Sequence, residues 1–360
     1  MANKNQPNDI LTTLKAPWES NDHVVWLAST IRLHRSIEKF KFPQKLDTER
    51  KEYLCSLAFK DFLDIPGLSN PAILRAEEMS PMQKEFLIEH FLITESLHEA
   101  NRGAGFGIDT TGEVIALFNS REHLQLQVTD CIGDLEKNWN RLMQIEEAMQ
   151  KNNSFAFSRK FGFLTSDPTH CGTGLIISAY LHVPALIHTG GLLDCVEREK
   201  SEGIIASGLQ GNPDELIGDI LMVKNLYTLG VSEETIISSI RNAILHIVIA
   251  EKGARSQIKQ QKKDSLKDAV SKAIGLLKFS FKLEASEALS AISMLKLGIE
   301  MGWISGMSVK EVNHLFFDCR RAHLSYLLGT SSPTEEIATK RADYLRRVTE
   351  AVTLDFLPKS

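Results

Sequence analysis

Cysteine is scarce in this chain: there are five in 360 residues, Cys55, Cys131, Cys171, Cys195 and Cys319, odd in number and never in a C-x-x-C pair. That spacing signals neither a disulfide framework nor a zinc site, and leaves reduced thiols. A strong charge bias is missing too: 46 acids against 41 bases leave a formal charge of -5, which gives no electrostatic reason to expect nucleic acid. The opening residues MANKNQPNDI lack the basic-then-apolar order of a secretion signal, so a cytoplasmic protein is expected. The most apolar run, Leu175 to Leu193, is interrupted by His182, Pro184, His188, Gly190 and Gly191, and predicts a buried core segment rather than a membrane span. Internal repeats and low-complexity tracts are absent.

What remains is ordinary globular material, 43% hydrophobic and 24% charged, in a length that exceeds what one core usually fills. Two domains are expected. Residues 1–20 show little periodicity and predict a loosely ordered start. Tyr53, Leu54, Leu57, Ala58 and Phe62 recur at helical spacing until Pro66-Gly67, and a second helix is predicted over 81–92. Val114 to Ser120 and His123 to Val128 read as strands. Strict alternation in the second puts His123, Gln125 and Gln127 on one face and Leu124, Leu126 and Val128 on the other. An amphipathic helix over 134–151 follows, then a mixed strand and helix pattern to about Ala250. Beyond Glu251 the composition turns charged, and Leu289, Ile292, Leu295 and Ile299 keep helical steps, so 251–356 reads as an all-helical domain.

Six strings then occur in order. They are Ser29-Thr30-Ile31-Arg32-Leu33-His34-Arg35 with Phe42-Pro43; Asn119-Ser120-Arg121-Glu122-His123-Leu124-Gln125-Leu126-Gln127; Phe163 to Leu175; Leu181-His182-Val183-Pro184-Ala185-Leu186; Tyr227 to Glu233; and Leu297-Gly298-Ile299-Glu300-Met301-Gly302. Each is weak alone. Together, over about residues 20–350, they resemble the bacterial protein-arginine kinases of the ATP:guanido phosphotransferase family. The resemblance implies an α+β fold, with an antiparallel sheet flanked by helices as the catalytic unit (21–250) and an all-helical C-terminal domain (251–356) that forms a homodimer. It also implies transfer of the γ-phosphoryl group of ATP, with magnesium, to arginine side chains of protein substrates.

Such chemistry requires convergent cations for the phosphates and a carboxylate that orients the weakly nucleophilic guanidinium and takes its proton. Arginine forks suit the phosphate oxygens. On the matching motifs, the nucleotide positions fall on Ser29, Thr30, Ile31, Arg32, Leu33, Arg35, His123, Gln125, Ile176 and Ser207. Arg32 and Arg35 read as remnants of a nucleotide clamp or as surface arginines. The family's catalytic positions are occupied by Arg121, Asp167 and Asn212: an arginine where the acid belongs, an aspartate for a cysteine, an asparagine for a second acid. Glu122 is a possible substitute for the base, although neighbouring strand residues face opposite ways. His123 also reads as a hydrogen-bonded structural histidine, and Asp167 beside Pro168 as an Asx-type turn. No metal site beyond ATP-bound magnesium is implied.

Thr30, Gln125, Ile176 and Ser207 each stand where the family has an arginine. At roughly 1.5–3 kcal/mol per hydrogen bond to a charged group, the combined loss implies orders of magnitude in nucleotide affinity. Loss of the base removes a further ~10²–10⁴ in rate. In the C-terminal domain the string that reads phosphoarginine is matched by Ile337 to Ala342, and only Arg341 and Ala342 persist. The expected function is therefore that of a pseudokinase, a regulatory or partner-binding module. The alternative is an active, divergent protein-arginine kinase that an activator partner completes.

Overall fold

The computed structural model describes residues 7–95, 97–209, 215–261, 264–329 and 334–356. Helices α1 (Pro7–Thr13), α2 (Thr48–Leu63), α3 (Pro81–His90) and α4 (Leu135–Gln150) are interspersed with strands β1 (Trp26–Arg35), β2 (Ala72–Arg75), β3 (Gly105–Ile108), β4 (Val114–Phe118) and β5 (Leu124–Asp130). A small hairpin, β6 (Phe157–Ser158) with β7 (Gly162–Phe163), precedes β8 (Leu175–His182), α5 (Pro184–Thr189), α6 (Leu192–Ser201), β9 (Ile204–Ser207) and β10 (Ile220–Asn225). Thereafter come α7 (Glu233–Gln261), α8 (Asp264–Phe279), α9 (Ala285–Glu300), α10 (Val309–Asp318), α11 (Arg321–Leu327) and α12 (Thr334–Val348), with a short pair of strands, β11 (Ile304–Ser305) and β12 (Thr353–Leu354). This is the α+β arrangement expected: one eight-stranded sheet in the order β2-β3-β4-β5-β1-β8-β10-β9, flanked by helices, and a helical C-terminal region. The pairs β2/β3, β3/β4, β4/β5 and β1/β5 are all antiparallel.

Contacts divide the chain into two compact units, Met1–Pro17 with Ser29–Ser178 and Lys224–Arg241, and Trp18–Ala28 with Ala179–Val223 and Asn242–Ser360. In the first, α2 starts at an Asp47 cap and buries Leu54, Cys55, Ala58, Phe59 and Phe62. Helix α3 opens on a capping box between Ser80 and Gln83 with Pro81 in its first turn. Helix α4 packs on β5 through Leu135, Leu142, Ile145 and Met149, and its buried stripe also contains Glu146.

In the second unit, Trp18 is 2% exposed and stacks on Phe317 with ring centroids 3.8 Å apart. Within the described part of the N-terminal segment Pro7–Thr13 is helical, and Leu11 and Trp18 are buried. Helix α7 runs unbroken through residues 250 and 251, where the composition shift lies. Its Ile240, Ile244, Ile247, Ala254 and Ile258 keep one buried stripe throughout. Glu251 sits in that stripe because it accepts from Ala185 N and Leu186 N at 3.1 and 2.8 Å, capping α5, and pairs with Arg255 at 2.6 Å. Arg255 also pairs with Glu300 and donates to His182 O at 3.3 Å, so the fourth and sixth sequence strings meet in a structural knot. Gly298 admits no side chain: a Cβ there would lie 2.4 Å from Ile304 Cδ1 and 3.0 Å from Val270 Cγ1. Among the described residues no helix is long and apolar enough to cross a membrane.

Candidate functional site

The register of β1 on β5 pairs Thr30 with Thr129, Arg32 with Gln127 and His34 with Gln125, so these six share one face of the sheet. Ile31, Leu33 and Arg35 belong with Leu124, Leu126 and Val128 on the other. Both faces are buried across β5, which differs from a strand with one open face. Arg32 and Arg35 therefore cannot close on one ligand from this strand.

Arg32, 6% exposed, donates through Nε and Nη2 to Gln127 Oε1 at 3.0 and 2.6 Å, and Gln127 Nε2 donates to Phe91 O at 2.5 Å. Its remaining nitrogen, Nη1, lies 3.5 Å from Glu95 Oε1. With its amide turned to satisfy its neighbours, Gln125 accepts from Arg32 Nε at 3.2 Å and donates to Glu95 Oε1 at 3.3 Å. Glu95, which no motif singles out, is thus the carboxylate at the centre of this face. Leu92 brings it there: its φ of 52° lies in the left-handed region and turns the chain as it leaves α3.

Arg35 is 1% exposed and pairs through Nε with Glu146. Its Nη1 donates to His34 O and Thr173 O at 2.8 Å each, and its guanidinium lies 3.6 Å from the Phe163 ring centroid. Gly174 makes room for it. At φ 63° a Cβ on Gly174 would come within 2.6 Å of Arg35 Nη1 and 2.7 Å of His34 O.

Residues 119–123 form a turn before β5 begins at Leu124, so strand alternation does not govern them. Arg121 is exposed, with Nε 3.8 Å from Glu95 Oε2. Glu122 is 1% exposed and saturated by donors: Ser36 Oγ at 2.9 Å, Ser166 N at 2.8 and 2.9 Å, Ser166 Oγ at 2.7 Å and Asp167 N at 3.3 Å. Its part in the site is to pin the Ser166 loop. His123 accepts from Ile37 N at 2.9 Å through Nδ1, which leaves Nε2–H to donate to Lys41 O at 2.8 Å. Burial lowers its pKa, so it is a neutral structural imidazole. Asp167 Oδ1 accepts from Thr169 Oγ1 and N at 2.7 and 3.0 Å in an Asx turn, and those bonds hold its pKa below the usual carboxylate range.

His34 stacks on His170, centroids 4.4 Å apart, and its Nδ1 has no hydrogen-bond partner. Burial pushes its pKa well below the ordinary value, and the positive fields of His170, Arg32, Arg35 and Arg121 push the same way. Ser29, Thr30, Ile31 and Leu33 are buried within β1, and Ile176 is half-buried in β8. Ser207, half-buried, closes β9 in the second unit, and Asn212 lies outside the described residues.

Arg341 is also structural. It is 2% exposed and donates to Cys319 O and Leu283 O at 2.6 and 2.8 Å, while Ala342 is buried beside it in α12. Replacing Arg341 by alanine is expected to lower stability by about 2–3 kcal/mol, through two lost charge-assisted bonds. Urea denaturation reads this, and a variant as stable as the parent would return Arg341 to ligand reading.

ATP with magnesium does not fit these residues as they stand. Gln125 and Ile176 are uncharged, and the charge of Arg32 is answered by the half-buried carboxylate of Glu95. Among the described residues no group of three or more His, Cys, Asp or Glu is placed to hold a metal ion.

The family model described as ATP:guanido phosphotransferase, C-terminal catalytic domain, matches residues 58–254, and that of the protein-arginine kinase McsB C-terminal domain matches 263–355. A protein-arginine kinase of Chlamydia pneumoniae is 32% identical over 353 residues, covering 96% of this chain and 98% of that protein. One from Chlamydia muridarum is 34% identical over 321 residues, covering 89% and 90%. The crystal structure of lombricine kinase superposes with a TM-score of 0.57 at 18% identity, covering 65% of this chain and 68% of its own. The duplicated taurocyamine kinase of Schistosoma mansoni, bound to transition-state analogue components, gives 0.56 at 22% identity, covering 63% and 33%.

Proposed function

This chain belongs to the ATP:guanido phosphotransferase family, and from that premise we propose that it is a protein-arginine kinase relative without phosphoryl-transfer activity, retained as a regulatory module that binds a protein partner. The observation that carries this reading is the state of the acids around Arg121. Glu122 has donors on both oxygens, and Glu95 lies against Arg32 and Arg121. Glu122 is committed to the Ser166 loop and Glu95 to the two guanidinium groups, so neither is placed to take a proton from a guanidinium acceptor. The neutral residues at Thr30, Gln125, Ile176 and Ser207 support it, since phosphoryl transfer depends on cations already in place. A homodimer through the C-terminal helices belongs to the same reading, supported by exposed Leu276, Phe279 and Phe281 at the end of α8 and just beyond.

The test combines calorimetric titration of ATP with magnesium and incubation with labelled ATP and casein. No binding at millimolar nucleotide and no acid-labile label are expected. Acid-labile phosphoarginine clearly above a heat-killed control would overturn the reading.

A further inference from the structure

The geometry points to a phosphate-binding clamp made of Arg32 and Arg121 that the carboxylate of Glu95 occupies from within. This builds on the reading of the site as catalytically silent and names what keeps it closed. Glu95 stands between the two guanidinium groups, 3.5 Å from Arg32 Nη1 and 3.8 Å from Arg121 Nε. Both distances are ion-pair separations longer than a charge-assisted hydrogen bond. Glu95 Oε2 is buried and receives no hydrogen bond, and the side chain is only 10% exposed. A buried acceptor left without a donor is a poor resting arrangement. It is what results when one small carboxylate fills a place shaped by two forks.

A phosphate group carries more charge and a third terminal oxygen, and would meet both arginines at bonding distance. The surroundings suit an anion. His34 lies next on the same strand face and stacks on His170, so two polar rings stand beside the guanidinium groups. The clamp can also open. Arg32 is anchored by Gln127, whereas Arg121 is exposed on a turn and Glu95 lies beyond the end of α3, next to exposed Thr94. Displacing Glu95 breaks one 3.3 Å hydrogen bond from Gln125 and two long ion pairs, so the closed form is held by charge rather than by packing.

The test measures binding of inorganic tripolyphosphate, and of ATP without magnesium, to the full-length parent, to Glu95→Gln and to Glu95→Gln combined with Arg121→Ala, by calorimetry at low salt. Glu95→Gln is expected to bind tripolyphosphate at least about tenfold more tightly than the parent, and Arg121→Ala to remove the gain, in line with about 1.4 kcal/mol per decade of affinity. An equal gain for ATP identifies the phosphate chain as the recognised part. Absence of a gain in Glu95→Gln, persistence of the gain without Arg121, or a gain with ATP alone overturns the clamp. Glu95→Ser carries the same expectation should Glu95→Gln not fold. Phosphoarginine formation by the parent would sink the silent reading whatever the variants do; a silent parent with no gain in Glu95→Gln sinks this inference alone.

Discussion

Replacing Arg35 by methionine is expected to cost about 3–5 kcal/mol of folding stability, because it strands the buried carboxylate of Glu146. Arg35 lies between β1, Thr173 and α4, bonded to Glu146, His34 O and Thr173 O, with the Phe163 ring against its guanidinium. Burial lowers even its guanidinium pKa, with Glu146 opposing the shift, which marks a desolvated pair. The same side chains argue for a second variant. Arg35→Met with Glu146→Leu removes both charges together, and is expected to recover most of the loss, since an apolar pair of similar volume replaces a buried ion pair with little penalty. Guanidinium chloride denaturation of the parent, both single variants and the double variant closes the cycle. If Arg35 instead served a nucleotide, Arg35→Met would be as stable as the parent, and that result would remove the structural assignment.

For Glu122→Gln the expected loss is about 2–4 kcal/mol. The substitution keeps the volume, discards the charge that strengthens several hydrogen bonds, and turns one acceptor oxygen into a donor facing Ser36 Oγ or the amides of Ser166 and Asp167. Loss of the Ser166 loop should accompany it, because Ser166 is bonded to Glu122 through both its amide and its hydroxyl. Hydrogen exchange at the Ser166 and Asp167 amides, read beside urea denaturation, separates local release from global unfolding. A working general base behaves the opposite way, losing activity at unchanged stability. A Glu122→Gln protein of parental stability with parental amide protection would reopen Glu122 as a reacting acid.

Much of this molecule was legible beforehand. The motif order carried the family and with it the fold, and helices α2 and α4 announced themselves because each buries a stripe at three- and four-residue steps. Gln125 and Gln127 do alternate with Leu124, Leu126 and Val128 along β5 as the sequence pattern requires, although His123 precedes the strand and both faces are buried. Hidden from the sequence were relations between distant residues. Glu95 belongs to no string, and nothing in its neighbourhood reveals that a left-handed Leu92 sets it against Arg32. Glu146 looks like one more charge on an amphipathic helix until Arg35, 111 residues away, meets it in the core. The turn at 119–123 defeated alternation for Glu122, because that rule holds only where φ and ψ are those of a strand. Asn119, with φ 51°, has already left them.

The sequence by itself determined the order of motifs that places the chain in its family, and which residue stands at each motif position, since residue identity needs no coordinates. Only the tertiary structure decided what the remaining charges do. Arg32 answers Glu95, Arg35 answers Glu146, Glu122 holds a loop and Arg341 ties Leu283 to Cys319. The physical reason is that the free energy of a charge depends on its solvent and its partners, which the folded chain supplies from far along its length.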